Sequence, residues 1–179
     1  GGQFLAMKTY GRTMDEMLIR QPLALKTAFG ENPKRCYRDK GISTRMSTAA
    51  KLREMLMKAK EYKRKLDEGK DPAFDMKLEA LIPVLKGEMP LKAHAHRADD
   101  IATAVRICRE FGLRLVVVHG TEGHLISELL ARENIPVITG PCLTDRCKPE
   151  LMNQTIENPA LLSRAGVKVA ICTDHPETP

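Results

Sequence analysis

The sequence predicts an α/β fold in which parallel strands alternate with crossover helices, and three observations carry that prediction. Short apolar runs alternate with amphipathic stretches from Arg97 onward. Strand starts near 93, 115, 136 and 168 are spaced by 22, 21 and 32 residues, about one strand-helix unit each. A chain of 179 residues, 42% hydrophobic and 29% charged, suits one packed domain over 1–179 rather than a disordered or fibrous chain.

Taken in order, Phe4 to Thr9 and Leu23 to Phe29 read as strands, with a turn or helix around Asp15 to Arg20 between them. Thr44 or Ser47 opens a long helix that reaches Leu66, and Phe74 to Leu85 reads as another; Asp67 to Pro72 makes a solvated turn. Leu91 to His96 is a strand. Asp99 is placed to cap the next helix, where Ile101, Val105 and Cys108 recur at helical spacing and Gly112 stops it. The branched run Leu115 to Val118 is a buried strand. A helix over Leu125 to Arg132 follows, with Thr121 or Ser127 as caps, then a strand at Pro136 to Thr139, a loop rich in Pro and Cys, a short helix near Pro159 to Arg164, and a last strand over Val167 to Thr173.

Composition narrows the function. No apolar run approaches the ~20 residues that cross a bilayer. Five cysteines, an odd number scattered along the chain, suit a reducing cytoplasm better than a disulfide framework. The net charge of +6 is local: Arg45 to Lys65 holds eight basic and two acidic residues, and the remainder balances at 21 of each sign. Met46, Ala50, Met55, Leu56, Ala59 and Leu66 form an apolar stripe on that helix, so its lysines and arginines form a solvated face, interrupted by one stacking ring, Tyr62. Nucleic-acid binding asks for more aromatic interleaving than this. Cys142, Cys147, Cys172 and His175 make a second, weaker metal pattern of structural type.

The chemistry-bearing residues sit at the carboxyl ends of predicted strands: His94 and His96, His119, and Asp174. Catalytic groups of parallel α/β folds gather at that rim. Imidazole with carboxylate suits zinc or a similar divalent ion with an open position for water, which becomes hydroxide near neutral pH. Asp174 then takes the proton that the water loses and passes it to the leaving group.

The set Lys92-Ala93-His94-Ala95-His96-Arg97-Ala98, then Val118-His119-Gly120, then Cys172-Thr173-Asp174-His175-Pro176 resembles strands five, six and eight of the metal-dependent amidohydrolase superfamily, near its imidazolonepropionase-related branch. Order fits, as does the spacing of 25 residues from His94 to His119. The resemblance implies that His94 and His119 are metal ligands, that Asp174 is both ligand and general base, and that His96 lies just behind them or faces the substrate; His175, otherwise an ordinary loop residue, is a further candidate for substrate contact. Leu25 to Arg35 resembles strand four and its loop, which in many members supplies a lysine; Lys26 is the candidate, with Lys8 and Glu31 as rivals. The implied activity is hydrolysis of a C–N bond in a cyclic amide or related small molecule. A different class remains beside it: a non-catalytic module whose basic helix engages an acidic partner.

One departure shapes the expectation. The superfamily's His-x-His pair of strand one should precede Lys26, yet no His precedes His94. Six candidate strands stand where a closed barrel needs eight. With a start at Gly1-Gly2-Gln3, the expectation is a partial (β/α)8 TIM barrel, an internal fragment of a longer enzyme that is inactive alone. Open sheet edges further predict a homo-oligomer, or a sheet that curls open.

Overall fold

The computed structural model describes residues 2–175. Six strands form one sheet in sequence order: β1 (Gln3–Met7), β2 (Leu18–Ala28), β3 (Leu91–Ala95), β4 (Leu115–His119), β5 (Val137–Thr139) and β6 (Val169–Ile171). Strands β2 to β6 run parallel, as a partial barrel requires, with helices between them. The first strand departs from an all-parallel reading, because β1 pairs antiparallel with β2. Its connection holds only α1 (Met14–Met17), and a link that short closes a hairpin where a parallel neighbour needs a longer crossover.

Alternation on β3 and β4 explains their role. Leu91, Ala93 and Val117 are fully enclosed and face the helix layer, while Lys92 and His94 lie on the opposite face, beside Lys26 and Ala28 of β2. Against the enclosed face packs α6 (Ala98–Phe111), whose Ile101, Ala104, Val105, Ile107 and Cys108 are buried. Gly112 ends it in the left-handed conformation. Its start is not capped by Asp99, which lies inside the first turn; the Ala98 N–H donates instead to Glu122 Oε2, a carboxylate from the loop after β4, at 2.7 Å. A distant residue has taken over a local capping task. Neither Thr121 nor Ser127 caps the following segment, a 3-10 turn at Gly123–Ile126 that runs into α7 (Ser127–Arg132).

Between β2 and β3 lie α2 (Glu31–Cys36), α3 (Arg45–Asp67) and two single turns, α4 (Met76–Glu79) and α5 (Ile82–Leu85). The expected helix over Phe74 to Leu85 is thus broken in two: Pro83, which has no N–H to continue an earlier helix, fits only the first turn of a new one. In α3, Thr44 and Ser47 cap each other's backbone at 3.0 Å. Of the expected stripe only its middle is covered: Leu56 and Ala59 are enclosed and Met55 half-buried, whereas Met46, Ala50 and Leu66 are exposed, the covered face running instead through Thr48, Leu56, Ala59 and Tyr62. Tyr62 corrects the expectation of a stacking ring among the charges, since it is buried with its hydroxyl donating to Glu79 at 2.7 Å. The charges themselves are largely paired, Lys51 and Lys58 with Glu54, Arg53 with Glu110, Lys63 with Asp67, and Arg64 with Glu61 and Glu68. A helix α8 (Asn158–Arg164) precedes β6. No helix among the described residues is long and apolar enough to cross a membrane.

Candidate metal centre

The ends of β3 and β4 bring three imidazoles together. His94 and His96 are two residues apart, so the pleat turns them to one side, with ring centroids 4.8 Å apart. His119 pairs in register with Ala95, a residue of the opposite face, yet its ring lies 4.4 Å from that of His94 and stacks on His96 at 4.6 Å. The backbone at His119 makes this possible: φ is +74°, a left-handed value that breaks the pleat at the last strand residue. Only three non-glycine residues among those described have positive φ, and two are His119 and Asp174. The third, Asn134, follows a helix end, where asparagine commonly adopts this conformation.

The side chains are seated from behind. His119 donates its Nδ1–H to the Gly140 carbonyl at 2.7 Å, which leaves Nε2 directed at the cleft, 4.0 Å from Asp174 Oδ2. His96 Nδ1 meets Thr121 Oγ1 at 2.7 Å, and His94 Nε2 accepts the Asn32 amide at 3.2 Å. Asn158 buttresses the rim by donating to the Gly120 carbonyl and Thr139 Oγ1. The candidate ligand atoms of the three histidines lie within 4.8 Å of one another. They line a cleft of about 460 Å³ together with Asn32, Lys148 and Asp174.

Burial sets the charge state. His94 is 7% exposed, and enclosure among His119, His96, Lys26 and Lys148 drives its pKa down to about 2. Burial, with His119 and Lys148 nearby, holds His96 near 3. His119 is lowered mainly by burial, against the Gly140 hydrogen bond and the Asp174 charge, which pull the other way. The three rings are therefore neutral at physiological pH, the form in which imidazole binds a metal.

The structure brings His94, His96, His119 and Asp174 to one cleft. Lys26 is half-buried on the interior face, one pleat below Ala28, close enough for its charge to act on His94 and His119. Its rivals are placed differently. Lys8 is exposed beyond β1, and the Glu31 carboxylate is engaged by Lys34 at 3.0 Å and Arg45 at 3.1 Å. His175 is exposed beside Asp174. The cysteine set does not assemble: among the described residues the three histidines form the one group of metal-ligating type. His124 belongs to the framework, its N–H donating to Asn158 Oδ1 at 3.0 Å.

Sequence reasoning missed Asn32, Thr121, Lys148 and Glu150. A signal existed for the first two, polar residues within three positions of a predicted strand end. Lys148 and Glu150 lie in the loop of Pro and Cys, which has no periodicity to orient them.

No family model matches the chain, and no curated protein does. A crystal structure from Thermotoga maritima matches 98% of this chain with a TM-score of 0.94 and 45% sequence identity. That protein is an amidohydrolase. The chain spans 48% of its length. Likeness to an amidohydrolase at this identity supports the amidohydrolase family and accords with a divalent-metal site at the three imidazoles.

Proposed function

We propose that this chain forms part of the catalytic barrel of a metal-dependent amidohydrolase, related to the imidazolonepropionase branch, that hydrolyses a C–N bond in a cyclic amide or related amide or amidine. The observation that carries the reading is the convergence of neutral, buried imidazoles with a carboxylate at the strand ends, His119 Nε2 lying 4.0 Å from Asp174 Oδ2. The residues fit a cation. His119 has its Nδ1–H tied to a carbonyl and offers Nε2, and such a carbonyl contact is the usual way a protein fixes the metal-binding nitrogen of a histidine.

In this reading His94, His119 and Asp174 hold the cation, with Lys26 as the strand-four contributor, and the nitrogen and oxygen donor set favours zinc, as one ion or two. Bound there, a divalent cation would supply a water that ionises near neutral pH and would itself polarise the amide carbonyl. Asp174 Oδ2 accepts the water's proton and returns it to the departing nitrogen. Its side chain is 47% exposed, which gives it room to move between the two. His175 contacts the substrate, His96 lies just behind the cation or faces the substrate, and Lys148 at the cleft wall adds positive charge where the tetrahedral oxyanion develops. Without a His-x-His pair, residues 1–179 alone hold the cation weakly and do not turn over. The free strand edges of such a piece favour self-association.

The test is hydrolysis of a panel of cyclic amides by the full natural chain, before and after chelation and zinc return. Activity that vanishes with chelation, returns with zinc and is lost in His119→Ala is expected. Turnover unaffected by chelation contradicts the reading, and full zinc occupancy with turnover by residues 1–179 alone contradicts its inactive-fragment part.

A further inference from the structure

Glu150 is the one fully enclosed acidic side chain of the molecule's described part, 0% exposed, and the chemistry above makes no use of it. It stands in a 3-10 turn (Pro149–Leu151) between β5 and α8. One oxygen, Oε2, accepts the Glu31 N–H at 2.9 Å and lies 4.0 Å from Arg45 Nη2. The site is shaped for that oxygen: a Cβ on Gly30, whose φ is +77°, would stand 2.3 Å from Oε2. The other oxygen, Oε1, is buried without a hydrogen-bond partner and lies 3.9 Å from His96 Nε2. An enclosed carboxylate oxygen without a donor is costly, on the order of 1–3 kcal/mol or more, so its aim asks for a reason. The 3.9 Å gap exceeds a hydrogen bond, and a shift of about 1 Å closes it.

We infer that Glu150 is a positioning residue for His96, accepting its Nε2–H and thereby fixing the ring as a donor rather than a metal ligand. His96 Nδ1 is then the nitrogen that accepts from the Thr121 hydroxyl, 2.7 Å away. Both ring nitrogens are committed to protein partners, which divides the three-histidine cluster by role. His94 and His119 are left as the pair that holds the cation; this division rests on the metal-site reading, whereas the orientation of His96 stands without it. The same carboxylate ties His96 to the β2 loop through Glu31, the neighbour of Asn32, which contacts His94. A single buried side chain thus positions His96 and anchors the loop whose Asn32 contacts His94.

The experiment is histidine-selective 15N labelling of the full natural chain, with long-range proton–nitrogen spectra that show which nitrogen of each ring carries the proton. His96→Gln assigns the signals. In the metal-free protein we expect His96 protonated at Nε2, and Thr121→Val to leave that proton in place. Glu150→Gln keeps a carbonyl for the Glu31 N–H and turns an amide donor toward His96, so the His96 proton moves to Nδ1. A His96 ring protonated at Nδ1 in the unaltered protein, or unchanged by Glu150→Gln, overturns the inference; if that variant fails to fold, the unaltered protein and Thr121→Val decide it. Added zinc should then shift His94 and His119 while His96 keeps its Nε2 proton. Coordination by His96 also overturns the inference, and zinc that moves no histidine removes the metal reading while leaving the tautomer result intact.

Discussion

The rim at the ends of β3 and β4 and the long helix α3 solve opposite problems. On α3, most charged groups reach water and a partner at helical spacing, its first turn is capped by Thr44 and Ser47, and the burial beneath it is mostly apolar. At the rim, three imidazoles and the Glu150 carboxylate are enclosed, two residues hold left-handed backbone, and one buried oxygen has no donor. The helix follows local rules along most of its length, with Arg45, Arg53 and Tyr62 as its long-range exceptions, whereas the rim departs from those rules and depends on its neighbours to persist. Such departures concentrate where chemistry needs groups held in a fixed arrangement.

Acid should expose this difference most strongly. In the unfolded chain His94 and His96 take up protons near their ordinary 6.5, but in the folded chain only near 2 and 3. Below 6.5 the unfolded state therefore binds more protons, and the stability these residues allow above that pH is lost as pH falls. Each imidazole contributes up to ~1.4 kcal/mol per pH unit, so the pair amounts to about 5 kcal/mol over the first two units. Glu150 and Asp100, raised by burial, act in the opposite sense, so the effect is best read as a difference between variants. Urea unfolding of the metal-free protein should give a pH slope that flattens in His94→Gln and again in His96→Gln; equal slopes in all three would break the contrast.

Under α3 the expected losses are those of apolar packing. Leu56→Ala, at a position 0% exposed, should cost about 2–5 kcal/mol in urea unfolding at any pH from neutral downward. A loss that itself varies with pH would show that the helix shares the rim's electrostatics. A smaller effect, about 1 kcal/mol, is expected of Thr44→Ala, which removes the acceptor for the Ser47 N–H. No change in stability would mean that the cap is redundant with the packing behind it.

Legibility in the sequence follows the same divide. The strand ending in His119 could be read because a buried parallel strand is a continuous apolar run whose end is marked by the first polar residue. The strands before His94 and Asp174 are legible from their spacing along the chain, since Lys92 interrupts the first and the second is largely exposed. The α3 cap was readable because its partners are three residues apart, whereas only the Leu56–Ala59 part of the expected stripe is buried. What escaped was long-range: Glu122 taking the capping place of Asp99, Tyr62 turning inward to Glu79, and Glu150 reaching Glu31 across 119 residues. The antiparallel β1 and the division of Phe74 to Leu85 depended on connection length and on Pro83, signals that propensity alone does not weigh.

The most direct test of the metal account is anomalous diffraction at the zinc absorption edge from crystals of the full natural chain grown with zinc. The account predicts an anomalous peak within bonding distance of His94, His119 and Asp174. Full-strength anomalous density that avoids this cleft, or a cleft without any when zinc is in excess, would contradict it.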